Sequence, residues 1–538
     1  MNVSTENMGD IPEKTANQTL LDYTESLTDW YIGRTSPEYR KEKGQYFTPQ
    51  RVSEFMVKQF ENINKKNELR ILDPGAGVGI FESAICEYMK LLEKNIKISF
   101  DLYESDVNIL HLLRINMRAC KEGMACEGFK VTYRVFDEDF ILSNASILNN
   151  QKKSSDADKK GYDLVISNPP YYKLKKDSIQ EIGIKNIMNG QPNIYPLFMI
   201  LSAKLLKNGG QMSILTPRSY CSGLYFRNFR KQFFEVVKPY KIHLFNSRKE
   251  VFKKYNVLQE NVILTAIKTS RMPENISVSV SEGASDENEK PRIRSMSYDK
   301  IIVEKNDDIL MRIPTSELEE SIASCIDKLE NNLGILGFKV STGPVVPFRS
   351  KDFLLDMTHD FNGYVPLIWM HNIVNGVVKW PLKNNKPVGI RKTEESKKIL
   401  VPNKNYILIK RFSSKEGKQR INAGIYLNNL FNSDLIGIEN HVNYIYKKDG
   451  ELRISEAHGI VALLNSRLYN KYFQITNGST QVNATELSNI PLPSLEIIRR
   501  IGDSIRNLKR EDGMIKEQII LKALKTDKNI ENGLITNG

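Results

Sequence analysis

The run Tyr162-Asp163-Leu164-Val165-Ile166-Ser167-Asn168-Pro169-Pro170-Tyr171 carries the chain's most specific chemistry. An apolar stretch that reads as a buried strand ends there on an amide and two prolines. Each proline ring holds φ near about −65° and removes an N–H donor, so the turn is stiff and its polar groups are carbonyl oxygens. Asn168 adds a side-chain oxygen. Two rigid acceptors can take both hydrogens of one amino group and draw its conjugated lone pair towards a tetrahedral, nucleophilic form. An aromatic amine is otherwise a poor nucleophile, so the pattern suits its alkylation by in-line displacement at a sulfonium methyl. Alignment would supply most of the rate, and the acceptors would stabilise positive charge growing on the nitrogen. The chemistry requires neither a cysteine nucleophile nor a strong general base. Tyr171 can stack on the ring that bears the amine. Standing alone, the same residues would equally make a strand-ending Pro-Pro turn with a structural asparagine.

A second candidate site lies upstream. Ile71-Leu72-Asp73-Pro74-Gly75-Ala76-Gly77-Val78-Gly79-Ile80-Phe81 is an apolar strand running straight into glycines and then a helix. Asp73, Pro74, Gly75, Gly77 and Gly79 would form a sharp turn that lets a ligand approach the main chain. A nucleotide-binding dehydrogenase or a plain tight turn could carry the same loop. The next strand, ISFDLYESD, ends near Glu104, whose carboxylate can accept both hydroxyls of a ribose at that sheet edge. The third ends in Asp139-Phe140, an acceptor for an adenine amino group beside a ring that could cover it. Three such positions in register along one edge point to an adenosine-containing cofactor.

These residues need a scaffold, and the pattern around them supplies one. Over residues 44–270 the strand-like runs RILDPGAG, ISFDLYES, VTYRVFDEDF, YDLVISNPP, GQMSILTP, IHLFN and NVILTAIK alternate with helix-like amphipathic runs. That alternation predicts a doubly wound, mostly parallel α/β sheet. Residues 1–43 read as a polar N-terminal arm with one helix over Leu20 to Ile32, and 145–161 as an exposed loop. Residues 271–299 read as a linker or insertion, and 300–538 as a separate mixed α+β domain with helices over 495–527. The length of 538 residues suits two or three domains. The net charge of +13 suits a polyanionic partner, although a Lys- and Asn-rich sequence also follows from an AT-rich genome. From Lys379 to Arg420 thirteen Lys/Arg face three Glu, interleaved with Trp380, Tyr406 and Phe412, which makes this stretch the candidate phosphate-tracking and base-reading surface. Arg391, Lys410 and Arg411 are its candidate DNA contacts. The five cysteines form no metal-like spacing, so no metal is expected. The absence of an apolar span or a signal-like start predicts a cytoplasmic protein with no membrane partner.

The ordered set DPGAGVGIF, Glu104, Asp139-Phe140 and NPPY resembles the amino-group DNA methyltransferases, in the motif order of their gamma class. The resemblance covers 44–270 closely and 300–500 loosely. It implies a class I methyltransferase sheet, S-adenosyl-L-methionine as cofactor, and N6 of a flipped-out adenine in duplex DNA as the methyl acceptor. It implies that Gly44-Gln45-Tyr46-Phe47-Thr48-Pro49 wraps the methionine end of the cofactor, with Tyr46 and Thr48 in contact. It also implies that Asn193, Tyr195 and Phe198 lie ahead of a helix ending LLKNGG, with Phe198 flanking the cofactor adenine. In Ser247-Arg248-Lys249-Glu250-Val251-Phe252, Phe252 would pack on the flipped base opposite Tyr171. The remainder would be a target-recognition domain, and a separately encoded restriction endonuclease would cut the same site. One departure is the long basic loop after the motif, KLKKDSIQEIGIKNIMNGQ.

NPPY also occurs in methyltransferases of glutamine side chains and of RNA, but those usually lack a long basic C-terminal domain. A modification subunit of a multi-subunit system resembles enzymes with a large helical domain before the core, whereas 43 residues precede GQYFTP here. An adenosine-cofactor fold reused only to bind DNA would be expected to lose Asn168 or Tyr171. The expectation is therefore a self-sufficient enzyme acting as a monomer on DNA. N4 of cytosine would fit the same acceptors, while the asparagine opening and the gamma order favour adenine.

Overall fold

A computed structural model describes residues 11–92, 96–148, 161–173, 193–245, 260–281, 291–305, 307–356, 363–382, 386–413, 419–477, 481–508 and 512–535. The chain divides into two compact units, Met1–Thr315 and Ser316–Gly538. In the first, α1 (Leu20–Arg34), α2 (Pro37–Lys43) and α3 (Gln50–Val57) precede the sheet. Local chemistry sets their limits. Thr19 and Asp22 form a capping box at the start of α1. Ser36 and Pro37 open α2, and Gly44 closes it with φ +66°.

The wound core follows as β1 (Glu68–Asp73), α4 (Ile80–Leu91), β2 (Lys97–Tyr103), α5 (Val107–Cys126), β3 (Val131–Phe136), α6 (Phe140–Leu148), β4 (Tyr162–Ser167), α7 (Tyr195–Leu205), β5 (Leu206–Pro217), α8 (Arg227–Val236), β6 (Val237–Phe245) and β7 (Asn261–Lys268). With β8 (Asn275–Ser281) and β9 (Arg292–Ser297) they make a nine-stranded sheet in the order β3-β2-β1-β4-β5-β7-β6-β8-β9. Strands β1 to β5 pair in parallel, and β7 runs antiparallel to both β5 and β6. Every residue of β4 is buried, as a strand covered on both faces requires. Leu197, Met199 and Phe229 pack in one large apolar cluster of this unit and Ile85, Met89 and Met117 in another, each side chain stabilising the fold by ~1.5–3 kcal/mol relative to exposure. The strand order reverses between β1 and β4, so the loops after these two strands open the crevice where α/β sheets bind ligands.

Three expectations need correction. Within 271–299 the stretches Asn275–Ser281 and Arg292–Ser297 are β8 and β9, which extend the sheet, and the first unit runs to Thr315. Of the expected loop over 145–161, residues 145–148 belong to α6, and 149–160 lie outside the described residues. The helix expected to end LLKNGG stops at Leu205, and its last residues enter β5, where the register to β4 shifts between Tyr162 and Leu164.

The second unit is mixed α+β. Its six-stranded sheet has the order Phe338–Thr342, Val442–Lys447, Tyr406–Lys410, Ala423–Tyr426, Val377–Val378 and Ile373–Val374. A five-stranded sheet contains Leu354–Leu355, Gly389–Arg391, Tyr364–Ile368, Leu435–Ile438 and Val401–Pro402. The helices Leu495–Arg506 and Gly513–Leu524 occupy most of the stretch expected to be helical.

Candidate active site

Where β4 ends, the Asn168 amide is held by a segment 120 residues upstream in the chain. Its Nδ2 donates to the Tyr46 carbonyl at 2.7 Å and to Thr48 Oγ1 at 3.0 Å. Both amide hydrogens are thereby used, which fixes the rotamer and leaves Oδ1 as the outward acceptor. In this state Oδ1 and the Leu215 carbonyl, the latter at 2.8 Å, share the single hydrogen of the Tyr171 hydroxyl. Burial holds the Tyr171 phenol well above its ordinary range, so it remains a donor. The Tyr171 ring lies nearly parallel to Tyr46 at 5.8 Å and edge-on to Tyr195 at 6.2 Å. Gly44 makes the approach possible: a Cβ there would stand 2.8 Å from Tyr171 N, and its carbonyl accepts from that same nitrogen at 3.3 Å. The motif GQYFTP thus touches the Asn168–Tyr171 turn directly. Thr48, assigned by resemblance to the cofactor, lines the cavity and also orients Asn168.

A cavity of about 420 Å3 opens at the ends of β1, β2 and β4. Its lining includes Tyr46, Thr48, Pro74, Gly75, Gly77, Glu104, Asp139, Phe140, Asn168, Pro170 and Phe198, so eleven of the expected residues converge there. Asp73 lies buried beneath, accepting from Gly75 N at 3.0 Å, and burial lifts its carboxyl to about 7. Gly79 takes a positive φ of 93° at the start of α4. Glu104 accepts from Gly77 N at 3.1 Å and Asp106 N at 2.8 Å, and burial raises it to about 7. Asp139 is not the end of β3 but the cap of α6, accepting from Ile141 N at 2.9 Å and Leu142 N at 3.0 Å. Phe140 and Phe198 face each other at 5.4 Å, with Tyr103 edge-on to Phe140 at 5.1 Å. The volume, the glycine turn, the ribose-height carboxylate and the aromatic wall all fit an adenosine-bearing sulfonium cofactor.

Sequence reasoning missed part of this wall. Thr28, Glu42 and Lys43 line the cavity, so the polar arm over 1–43 is part of the site. The signal lay in the short helix after Ser36-Pro37, whose N-terminal cap and proline mark a start. Phe252 lies outside the described residues, as do the rest of the run from Ser247 and nearly all of the loop after the motif. Among the described residues no three His, Cys, Asp or Glu are placed to hold a metal ion, and no helix is long and apolar enough to cross a membrane.

In the second unit, Arg391 is exposed and its guanidinium lies over the Tyr364 ring at 5.5 Å. Lys410 ends its strand partly buried, and that desolvation lowers its pKa. Arg411 donates to the Asn440 carbonyl at 2.7 Å. Burial, then the neighbouring Lys386, Lys410 and His441, hold His371 below its ordinary range. Other members of the basic stretch are engaged within the unit. Lys392 pairs with Asp434 at 2.7 Å, Lys397 pairs with Glu394, and Tyr406 is a core residue. Tyr406 therefore cannot stack on a base.

Comparison with known proteins agrees with this geometry. Residues 85–252 match the family of Eco57I restriction-modification methylases. Over 475 residues the chain is 36% identical to the type II methyltransferase M.PstI of Providencia stuartii, covering 87% of this chain and 90% of that protein. The chain belongs to the type II methyltransferases of restriction-modification systems. This type II methyltransferase is also 34% identical to M.BsuBI of Bacillus subtilis, over 86% of its own length and 90% of the relative's. A cryo-EM structure of a DrdV–DNA complex aligns with a TM-score of 0.48 at 12% identity, covering 90% of this chain and 59% of that one.

Proposed function

We propose that this type II methyltransferase moves a methyl group from S-adenosyl-L-methionine to N6 of an adenine flipped out of duplex DNA. The methyl mark would protect host DNA from a separately encoded restriction endonuclease. The observation that carries the reading is the Asn168 amide, locked through Nδ2 so that only Oδ1 can meet an incoming amine. Asp73, Gly75, Gly77, Glu104, Asp139, Phe140 and Phe198 would hold the cofactor, with Glu104 on the ribose and the phenylalanines on the adenine. When bound, S-adenosyl-L-methionine supplies an electrophilic sulfonium methyl.

The protein's own part is to present and polarise the amine. Asn168 Oδ1 accepts one N6 hydrogen in place of the Tyr171 hydroxyl, and the Pro169 carbonyl accepts the other. Both acceptors favour charge growing on N6; the Asn168 amide is oriented before the base arrives, and the rearrangement required is release of the Tyr171 hydroxyl from Oδ1. Flipping costs a few kcal/mol, and stacking on Tyr171 returns ~1–3 kcal/mol. Phe252 is assigned to the opposite face of the base. The second unit is assigned to target recognition, with Arg391, Lys410 and Arg411 on phosphates or base edges.

The test is transfer of labelled methyl from S-adenosyl-L-methionine to mixed duplex DNA, followed by nucleoside digestion, for wild type and Asn168→Ala. The expected product is N6-methyladenine, formed ~10²- to 10³-fold more slowly by the variant at unchanged cofactor affinity. Label in N4-methylcytosine, RNA or protein would replace the adenine reading.

A further inference from the structure

Asp106 follows the ribose-height carboxylate by two residues, is 4% exposed, and accepts from groups on four different segments. Tyr31 in α1 donates its hydroxyl at 3.3 Å, and Tyr39 in α2 donates to both oxygens at 3.2 and 3.1 Å. Gln45 Nε2 donates at 2.6 Å, and Asn108 N donates at 2.9 Å, with Asp106 the N-terminal cap of α5. The single Tyr31 hydroxyl hydrogen is shared between Asp106 and Gln45 Oε1, the latter at 2.9 Å, so Gln45 is held at its other end as well. Asp106 lines the cavity, and its carboxylate is already engaged by protein donors on both oxygens.

The segment it holds is the one that aims the catalytic amide. Residue 45 is followed by Tyr46, whose carbonyl accepts from Asn168, and then by Thr48, which accepts the second amide hydrogen. It is preceded by Gly44, whose carbonyl meets Tyr171 N. On its other side, the Asp106 backbone donates to Glu104 Oε1 at 2.8 Å, fixing the carboxylate assigned to the cofactor. One buried residue therefore braces both reacting partners from behind.

We propose that Asp106, acting through Gln45, is the positioning residue that registers the catalytic amide Asn168 against the cofactor cavity. The proposal rests on the methyl-transfer reading above. Asp106 lines the edge of the same cavity, but every hydrogen bond of its carboxylate runs to protein groups. Its loss would free Gln45 and let the Tyr46–Thr48 stretch move, so the Asn168 amide would lose its fixed orientation. Misplacement of this kind is felt in the chemical step more than in binding, since alignment supplies the rate.

The experiment compares the full-length wild type with Asp106→Asn, Gln45→Glu and the double variant. Three readouts are taken: single-turnover methyl transfer at saturating S-adenosyl-L-methionine and duplex DNA, cofactor affinity by calorimetry, and the Asn168 side-chain amide resonance in asparagine-labelled protein. Asp106→Asn should slow the chemical step about tenfold, shift the Asn168 resonance, and change cofactor affinity much less. Gln45→Glu places two carboxylates together and should do the same. The double variant reverses donor and acceptor: the amide introduced at position 106 donates to the carboxylate introduced at position 45, and most of the rate should return. Unchanged rates and an unmoved resonance would overturn the proposal, as would a double variant no faster than the singles. If Asp106→Asn does not fold, Gln45→Leu keeps every other donor on Asp106 and is read by the same criteria. A wild type that binds cofactor but labels no DNA would fail the functional reading alone, because the resonance reports on Asn168 without a substrate.

Discussion

Replacing Thr48 with valine keeps the shape of the side chain and removes one acceptor from the catalytic amide. The lost contact is the 3.0 Å bond from Asn168 Nδ2 to Thr48 Oγ1, at a residue only 8% exposed. A typical hydrogen bond is worth ~0.5–1.5 kcal/mol. If all of it acts in aligning the amide for the transition state, the rate falls by about 2- to 12-fold, at about 1.36 kcal/mol per decade. The remaining bond to the Tyr46 carbonyl prevents the far larger loss expected of Asn168→Ala. Cofactor affinity should stay within about twofold, because the assigned ribose and adenine contacts lie on β2, α6 and α7. The assay is rapid-quench methyl transfer with both ligands saturating, alongside calorimetric titration of the cofactor. A Thr48→Val enzyme with normal turnover and a much weakened cofactor would refute the reasoning and return Thr48 to a purely cofactor-binding role.

Asp73 is raised to about 7 mainly by burial, so its neutral form is the one folding favours. The stability it contributes is present below its unfolded value and is lost as pH rises through about 7. The ligand-free melting temperature should therefore decline across that window, and Asp73→Asn should flatten the decline. Gly44→Ala forces a Cβ to 2.8 Å from Tyr171 N at a φ of +66°. The left-handed backbone alone costs ~1–2 kcal/mol, so a lower urea midpoint and a larger loss of turnover are expected. Arg391→Ala removes an exposed guanidinium and should lower the slope of log affinity for duplex DNA against log salt by ~1, with methylation retained at low salt.

The strands β1 to β7 were legible because a sheet covered on both faces demands apolar runs, whether its strands pair in parallel or, like β7, antiparallel. The turn residues were legible through their backbone demands. Strand β8 was misread because serines dominated its composition, yet NISVSVS alternates with the period of two that marks a strand. Tyr406 shows the converse: it opens YILIK, an apolar strand of the second unit's core set inside a basic stretch of sequence that reads as surface. Asp106 was not legible at all. Its donors sit 61, 67 and 75 residues away in the chain, and no local pattern announces them.

The tether from Asn168 to Tyr46 and Thr48 also bears on the order of folding. The glycine turn after β1 is local, and it can form as soon as its own strand and helix meet. The catalytic amide gains its orientation only when chain separated by 122 and 120 residues has come together. Closing so long a loop is a late step, because its entropy must be met before the contact is rewarded. Local opening of the Gly44–Thr48 stretch would cost the amide its orientation while the strands of the nine-stranded sheet stay paired.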